Sequence, residues 1–89
     1  MEVYTLQKNA PGCTGMFWRP DPRPNASSGG GGGSNWPRDG ASLEGAVHEV
    51  NGEKWLECKR VRQVNGEWEA CAPGCWMPFK YHQYYLQKA

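Results

Sequence analysis

The sequence predicts a small all-β domain, and three observations lead to that prediction. The tetrapeptide Val-Asn-Gly-Glu occurs twice, at residues 50–53 and 64–67. Asn-Gly supplies both positive-φ positions of a type I′ turn, the strongest short-range signal for a β-hairpin. The flanking segments alternate between apolar and polar residues, and no segment shows the 3.6-residue period of a long helix. Two such turns predict three antiparallel strands in a meander, at about residues 43–50, 54–63 and 67–72.

Length and composition limit the chain to one small domain. It has 89 residues and a mass of 10.0 kDa, so it buries little surface. It contains 12 Gly and 7 Pro, and only 38% of its residues are hydrophobic. Five residues are Trp, however, and disordered chains seldom carry so many aromatic side chains. We therefore expect a single domain over residues 1–89, with an aromatic-rich core and a long irregular segment, and exclude a multidomain enzyme.

The two ends of the chain are predicted to pair with each other. Residues 2–7 alternate as a short strand does, and residues 81–86 are expected to end as a strand beside them. Between the first strand and the meander, residues 8–40 form a long Gly- and Pro-rich first loop. Residues 27–34 within it have the composition of a flexible linker, either natural or engineered.

Two aromatic islands interrupt this loop, at residues 16–19 and 35–38. Exposed linkers do not normally place Phe beside Trp, so we expect both islands to pack back onto the sheet. The alternative is an aromatic contact surface for a partner.

The side-chain pattern also predicts an interior and a local irregularity. Residues 59–62 contain only one apolar residue, so the alternation of apolar and polar residues breaks down there. This predicts a β-bulge or a strand tip leaving the sheet. Alternation assigns these residues to the interior: Leu43, Val47, Leu56, Cys58, Met77, and either Trp68 or Ala70. It leaves these aromatic residues for the rim: Trp36, Trp55, Trp76, Tyr81, Tyr84 and Tyr85.

Three segments resemble the Src-homology-3 family, in its bacterial-type or divergent eukaryotic form. Leu43-Glu44-Gly45, with Val47 and Val50, is similar to the strand that follows the family's long first loop. Trp55-Leu56-Glu57-Cys58 is similar to the strand that opens with Trp. Residues 74–81 resemble the late Gly, hydrophobic pair, Pro and Tyr signature, with one extra residue between Gly and Pro. The resemblance covers about residues 41–89 and implies a five-stranded barrel, with residues 2–7 as its first strand.

The resemblance also implies a binding surface. In the family the Trp that opens the third strand, the late Pro and the following Tyr line a shallow groove, and these positions are Trp55, Pro78 and Tyr81 here. Such grooves bind extended polyproline segments. Further aromatic residues are assigned to the same ligand-binding surface: Trp36, Trp76 and Tyr84.

One departure from the signalling members of the family concerns the first loop. In the signalling members the first loop carries an acidic cluster. In this sequence residues 8–40 contain only Asp21 and Asp39 as acidic residues and are themselves Pro-rich. Residues 20–24 are therefore an alternative occupant of the groove.

The four cysteines, Cys13, Cys58, Cys71 and Cys75, leave three interpretations open. Cys71 with Cys75 and Cys13 with Cys58 are candidate disulfides, the first closing a turn and the second tying the long loop to the sheet. Buried reduced thiols are the second interpretation, since Cys packs as a small hydrophobic residue. A metal site is the third, although the spacing lacks the two close pairs typical of structural zinc.

Charge and motifs favour a non-enzymatic binding module. The formal net charge of +1 is too small for a typical nucleic-acid partner, and no run of 18 apolar residues predicts a membrane span. No signal peptide is visible, which slightly favours an intracellular location. No catalytic constellation, cofactor motif or metal-ligand set appears.

We therefore expect a protein–protein interaction or assembly module whose partner is another protein or a peptide. A Pro-rich peptide is one such partner. The alternative is a secreted, disulfide-stapled domain that binds carbohydrate or a cell-surface ligand. A third class, a reader of methylated Lys, needs three converging aromatic residues near an acid.

Overall fold

The computed structural model describes residues 1–8, 15–24, 35–71, 74–81 and 83–89. The expected linker at residues 27–34 and Cys13 lie outside these ranges. The described residues form strands and no helix. The strands are β1 (Glu2–Lys8), β2 (Ser42–Val50), β3 (Glu53–Arg62), β4 (Glu69–Ala70), β5 (Trp76–Pro78), β6 (Lys80–Tyr81) and β7 (Tyr84–Lys88). The all-β prediction is confirmed.

All strands belong to one antiparallel sheet in the order β4-β3-β2-β1-β7-β6, and β5 also pairs with β3. Strand β4 pairs with Arg60 and Val61, and β5 pairs with residues 55–57 of the same strand. Because β2 occupies one edge of β3, β4 and β5 share the other. We expected five strands, and the described residues form seven, because the fourth strand position is divided between β4 and β5 and because β6 is added. Within the described residues no pairing joins β4 or β5 to β6, so the sheet is open.

The first hairpin forms as predicted. Asn51 and Gly52 have φ values of 53° and 82°, which a type I′ turn requires, and Val50 pairs with Glu53 directly across the turn. The pairing of the first and last strands is also confirmed, because Leu6 of β1 lies opposite Leu86 of β7.

The second hairpin differs from the prediction. Asn65 has a φ of 64°, but Gly66 is not left-handed, and its N–H donates to the carbonyl of Gln63. The result is a wider loop, and β4 covers only two residues instead of the expected 67–72. The physical reason is the side chain of Gln63, which accepts from the backbone N–H of Arg38 and donates to the carbonyl of Trp36. These bonds hold the end of β3 in place, and the chain turns at residues 63–66, one residue earlier than a type I′ turn centred on Asn65 and Gly66 would.

The predicted bulge in residues 59–62 is confirmed at Lys59. Gly45 pairs with Cys58 and Glu44 pairs with Arg60, which leaves Lys59 as the extra residue of β3. Gly45 is needed opposite the bulge, because a Cβ there would lie 2.0 Å from the carbonyl oxygen of Glu57.

The core lies on one face of the sheet, and both aromatic islands contribute to it. Its buried members include Leu43, Leu56, Cys58 and Met77, as expected, together with Met16 and Trp18 of the first island. Trp36 of the second island packs against the same cluster. The expectation that the islands pack back onto the sheet is therefore confirmed.

Two of the expected core assignments are wrong: Val47, and the choice between Trp68 and Ala70. Val47 is 38% exposed, because β1 covers β2 only as far as Gly45. Ala70 is exposed and Trp68 is half-buried, because β4 is a short edge strand with a neighbour on one side only.

Candidate aromatic face

The outer face of β2, β3 and β5 gathers aromatic and charged side chains. Residues directly opposite in neighbouring strands share a face, and Trp55 lies between His48 and Pro78. In the next row, Glu57 lies opposite Trp76. We call these five residues the aromatic face. Its register follows from the tight first turn, because pairing Val50 with Glu53 also brings His48 beside Trp55.

Glu57 is the electrostatic centre of this face. Its Oε2 lies 3.0 Å from Nζ of Lys59, and its Oε1 lies 3.0 Å from Nε2 of His48. The hydrogen bond from Lys59 lowers the pKa of the Glu57 carboxyl, burial opposes this shift, and the bond to His48 adds to it. The His48 ring also stacks at a tilt on Trp76, with ring centroids 4.8 Å apart.

Part of the long first loop pairs with the edge of β5 that points away from β3, beside this face. Arg19 and Trp76 form an antiparallel bridge, in which each backbone N–H donates to the carbonyl of the other residue, at 2.9 and 3.0 Å. We call residues 19–23 the cis segment, because it belongs to the same chain as the face beside which it lies. It contains two prolines, which have no backbone N–H, so it has few donors for a longer β-ladder with β5.

Arginine side chains fasten the cis segment to aromatic rings. The Arg19 guanidinium lies 4.3 Å from the ring centroid of Tyr81, and that of Arg23 lies 4.9 Å from the centroid of Trp76. Both distances fit cation–π stacking. Asp21 bridges to Arg23, with Nε–Oδ1 at 2.9 Å, and this hydrogen bond lowers the pKa of the Asp21 carboxyl. These contacts help to bury Trp76, which is only 1% exposed.

The three groove residues implied by the resemblance differ in exposure. Trp55 and Pro78 face each other across β3 and β5, half-buried and buried respectively. Tyr81 is 41% exposed and is linked to the face through Arg19. Trp76, expected at the rim, is buried beneath the cis segment. The sequence offered residues 20–24 as an alternative occupant of the groove, but it did not indicate that Trp76 would be the residue they cover.

Trp36 lies in a different place. Its ring meets Phe17 edge-on at 4.8 Å between centroids, and the Arg38 guanidinium stacks on it at 3.5 Å. Its carbonyl accepts from Gln63, so this residue sits beside the loop between β3 and β4.

Tyr84 is also buried, which corrects the expectation of a rim position. Its hydroxyl donates to Oδ1 of Asp39 at 2.6 Å, and Nζ of Lys8 lies 2.8 Å from Oδ2 of the same carboxylate. Burial by itself would raise the pKa of Asp39, but the bonds from Lys8 and Tyr84 outweigh it and lower that pKa. This network anchors the long loop to β1 and β7.

A separate groove of about 560 Å³ opens near the start of β3. It lies on the side of β3 opposite Trp55, because Lys54 alternates with that residue. Its lining combines one carboxylate and two ammonium groups with an apolar floor: Glu53, Lys54, Phe79, Lys80, Tyr85 and Leu86. None of the groove residues implied by the resemblance lines it, so the aromatic face is the stronger candidate.

Cys58, Cys71 and Cys75 come together at the other side of the sheet and are not joined by disulfides in the structure. Cys13, the fourth member of the candidate disulfides, is outside the described residues. Across the described ranges, no group of three or more His, Cys, Asp or Glu side chains is arranged to hold a metal ion.

Comparison of the chain with known protein families, curated proteins and solved structures finds no match. The part of the chain that the structure describes contains no helix long and apolar enough to cross a membrane.

Proposed function

We propose that this chain is a non-enzymatic, Src-homology-3-like interaction module that binds extended, Pro-containing segments on its aromatic face. The order of its elements supports the fold part of the proposal. A first strand precedes a long loop, a meander of β2, β3 and β4 follows, β5 carries Pro78, and the last strand returns to β1.

The observation that carries the functional part is the cis segment. The stretch of sequence Arg-Pro-Asp-Pro-Arg is held beside the aromatic face by one backbone bridge at the edge of β5 and by two Arg–aromatic stacks. A face that accepts such a segment within one chain has the shape and chemistry to accept a similar one from another protein. Extended Pro-rich segments suit this binding because they lose little conformational entropy.

The proposed partner is therefore a protein segment that combines proline with arginine. Its arginine would replace Arg19 on Tyr81 or Arg23 on Trp76, and its prolines would lie along Trp55 and Pro78. Glu57 places a carboxylate on the same face, which favours a cationic ligand.

A titration followed by amide resonances tests this proposal. Extended peptides with proline and arginine, and matched peptides with arginine replaced by glutamine, are added to the ¹⁵N-labelled chain. We expect the Arg-containing peptides to shift the resonances of Trp55, Trp76 and Tyr81 more strongly than their matched counterparts do.

Two variants sharpen this titration. Trp55→Ala is expected to weaken the response, whereas Trp68→Ala removes a half-buried Trp outside the face and is expected to leave it unchanged. Peptides that move no resonance of the face would overturn the proposal. Shifts with oligosaccharides instead would favour the carbohydrate-binding alternative.

A further inference from the structure

Three cysteines converge where β3 meets the chain that follows β4. The Sγ atoms of Cys58 and Cys71 are 3.5 Å apart. The backbone N–H of Cys71 donates to the carbonyl of Lys59, which extends the β3–β4 ladder by one residue. The N–H of Cys58 donates to the carbonyl of Cys75 at 2.9 Å. Two different backbone bonds therefore hold this cluster.

The two closest thiols differ in environment. Cys58 is buried, and its thiol donates to the carbonyl of Arg60 at 3.1 Å. Cys71 is half-buried and can be reached from solvent. The hydrogen bond between the thiols lowers the pKa of Cys71 and, together with burial, raises the pKa of Cys58. Cys71 is thus the thiol that an oxidant from solvent reaches first, and its thiolate is the nucleophilic form.

We propose that Cys58 and Cys71 form a reversible disulfide, with Cys71 as the thiol that meets the oxidant. A disulfide bond is about 2.05 Å long, so the sulfur atoms need to approach by about 1.5 Å. The pairing differs from both sequence-based candidates, which joined Cys71 to Cys75 and Cys13 to Cys58. It is independent of what the aromatic face binds.

With a peroxide as oxidant the step balances in two parts. The Cys71 thiolate attacks one peroxide oxygen, the O–O bond breaks, and the products are a sulfenic acid on Cys71 and hydroxide, which takes up the proton released when the Cys71 thiol ionised and becomes water. Sγ of Cys58 then attacks Sγ of Cys71. The S–S bond forms as the S–O bond breaks, and the leaving hydroxide takes the Cys58 proton as a second water. Two thiols lose two electrons in total, and one peroxide is reduced.

Peptide mapping of the full chain tests the pairing. The reduced protein is treated with hydrogen peroxide, its remaining thiols are alkylated, and it is digested with trypsin. Cys58 then lies in the peptide 55–59, and Cys71 and Cys75 both lie in the peptide 63–80. We expect these two peptides to be joined with the loss of two hydrogen atoms, and to separate again on reduction.

Two variants separate the neighbouring cysteines. Cys75→Ser is expected to keep the link between the two peptides, whereas Cys71→Ser is expected to lose it. A product lighter by two hydrogen atoms within the peptide 63–80 alone would identify a Cys71–Cys75 bridge and overturn the proposal. A link from residues 55–59 to the peptide containing Cys13 would also overturn it.

Two further outcomes are decisive against the disulfide. If peroxide leaves all four thiols available for alkylation, Cys58 and Cys71 do not pair. If the thiols react only after a zinc chelator is added, the cluster holds a metal ion instead.

Discussion

At the scale of single residues, Gly45 shows how a backbone requirement is written in the sequence. The bulge at Lys59 turns both Cys58 and Val61 toward the core. It also brings the carbonyl of Glu57 so close to Gly45 that no Cβ fits between them. The sequence reveals the bulge through its broken alternation, but it does not reveal which residue lies opposite.

Gly45→Ala is therefore expected to lower the free energy of unfolding by about 2 kcal/mol or more, because backbone must move to admit the methyl group. Gly52→Ala is the comparison, since Gly52 has open space around it and a φ of 82°. There only the left-handed conformation is penalised, by about 1 kcal/mol. Urea unfolding measures both, and a Gly45→Ala protein as stable as the parent would contradict the described bulge.

Tyr84 provides a second test at this scale. Tyr84→Phe removes the hydroxyl that donates to Asp39 and leaves the carboxylate with Lys8. We expect a loss of about 1 kcal/mol, the usual net value of one hydrogen bond. Tyr85→Phe is the control on the same strand and is expected to change the stability little. Equal effects in urea unfolding would show that the bond to Asp39 contributes nothing specific.

At the scale of elements, the two Asn-Gly turns show what local sequence can and cannot determine. Around Asn51 the type I′ hairpin forms, with Val50 paired to Glu53. Around Asn65 the same tetrapeptide opens into a wider loop, because Gln63 is bound to a segment about 27 residues away in the chain. Local patterns predicted β1, β2 and β3, whereas this long-range contact shortened β4.

Gln63→Ala should therefore destabilise the chain more than an ordinary surface substitution does. Its amide accepts from Arg38 and donates to the carbonyls of Asn35 and Trp36. We expect a loss of about 2 kcal/mol from these bonds, measured by urea unfolding. Gln87→Ala, at an exposed position of β7, is the matched control, and an equal loss in both variants would refute the anchoring role of Gln63.

The candidate site was predictable to a similar degree. Trp55 and Pro78 could be named from the resemblance, and the first turn fixes His48 opposite Trp55. The burial of Trp76 could not be predicted, because its cover comes from residues 19–23 on a distant part of the chain. The proline content of this stretch indicated only that it was an alternative occupant of the groove.

At the scale of the whole molecule, the long loop is part of the structure that it interrupts. Trp18 enters the core, Asp39 binds β1 and β7, and the cis segment covers the aromatic face. Three carboxyl groups in hydrogen-bonded ion pairs have lowered pKa values: Asp39 between loop and sheet, Asp21 within the loop, and Glu57 within the sheet.

These lowered pKa values predict how stability depends on pH. The unfolded chain takes up protons at these groups before the folded chain does, so their contribution is complete above the ordinary carboxyl pKa of about 4. This contribution to stability is lost as the pH falls through the lower pKa values that these groups have in the folded chain. We expect the urea midpoint to fall steadily from about pH 5 to pH 2, and a constant midpoint over that range would contradict these ion pairs.

If the aromatic face binds Pro- and Arg-containing segments as proposed, residues 19–23 compete with such a partner within the free chain. A bound segment reduces the apparent affinity for a competing one. The most direct measurement is the affinity of a free peptide of sequence Arg-Pro-Asp-Pro-Arg-Pro for the parent chain and for the Arg19→Ala/Arg23→Ala variant, followed at the resonances of Trp55, Trp76 and Tyr81. We expect binding to both proteins at this face, several-fold tighter in the variant. Absence of binding to the variant, or equal affinity for the two proteins, would contradict the proposal.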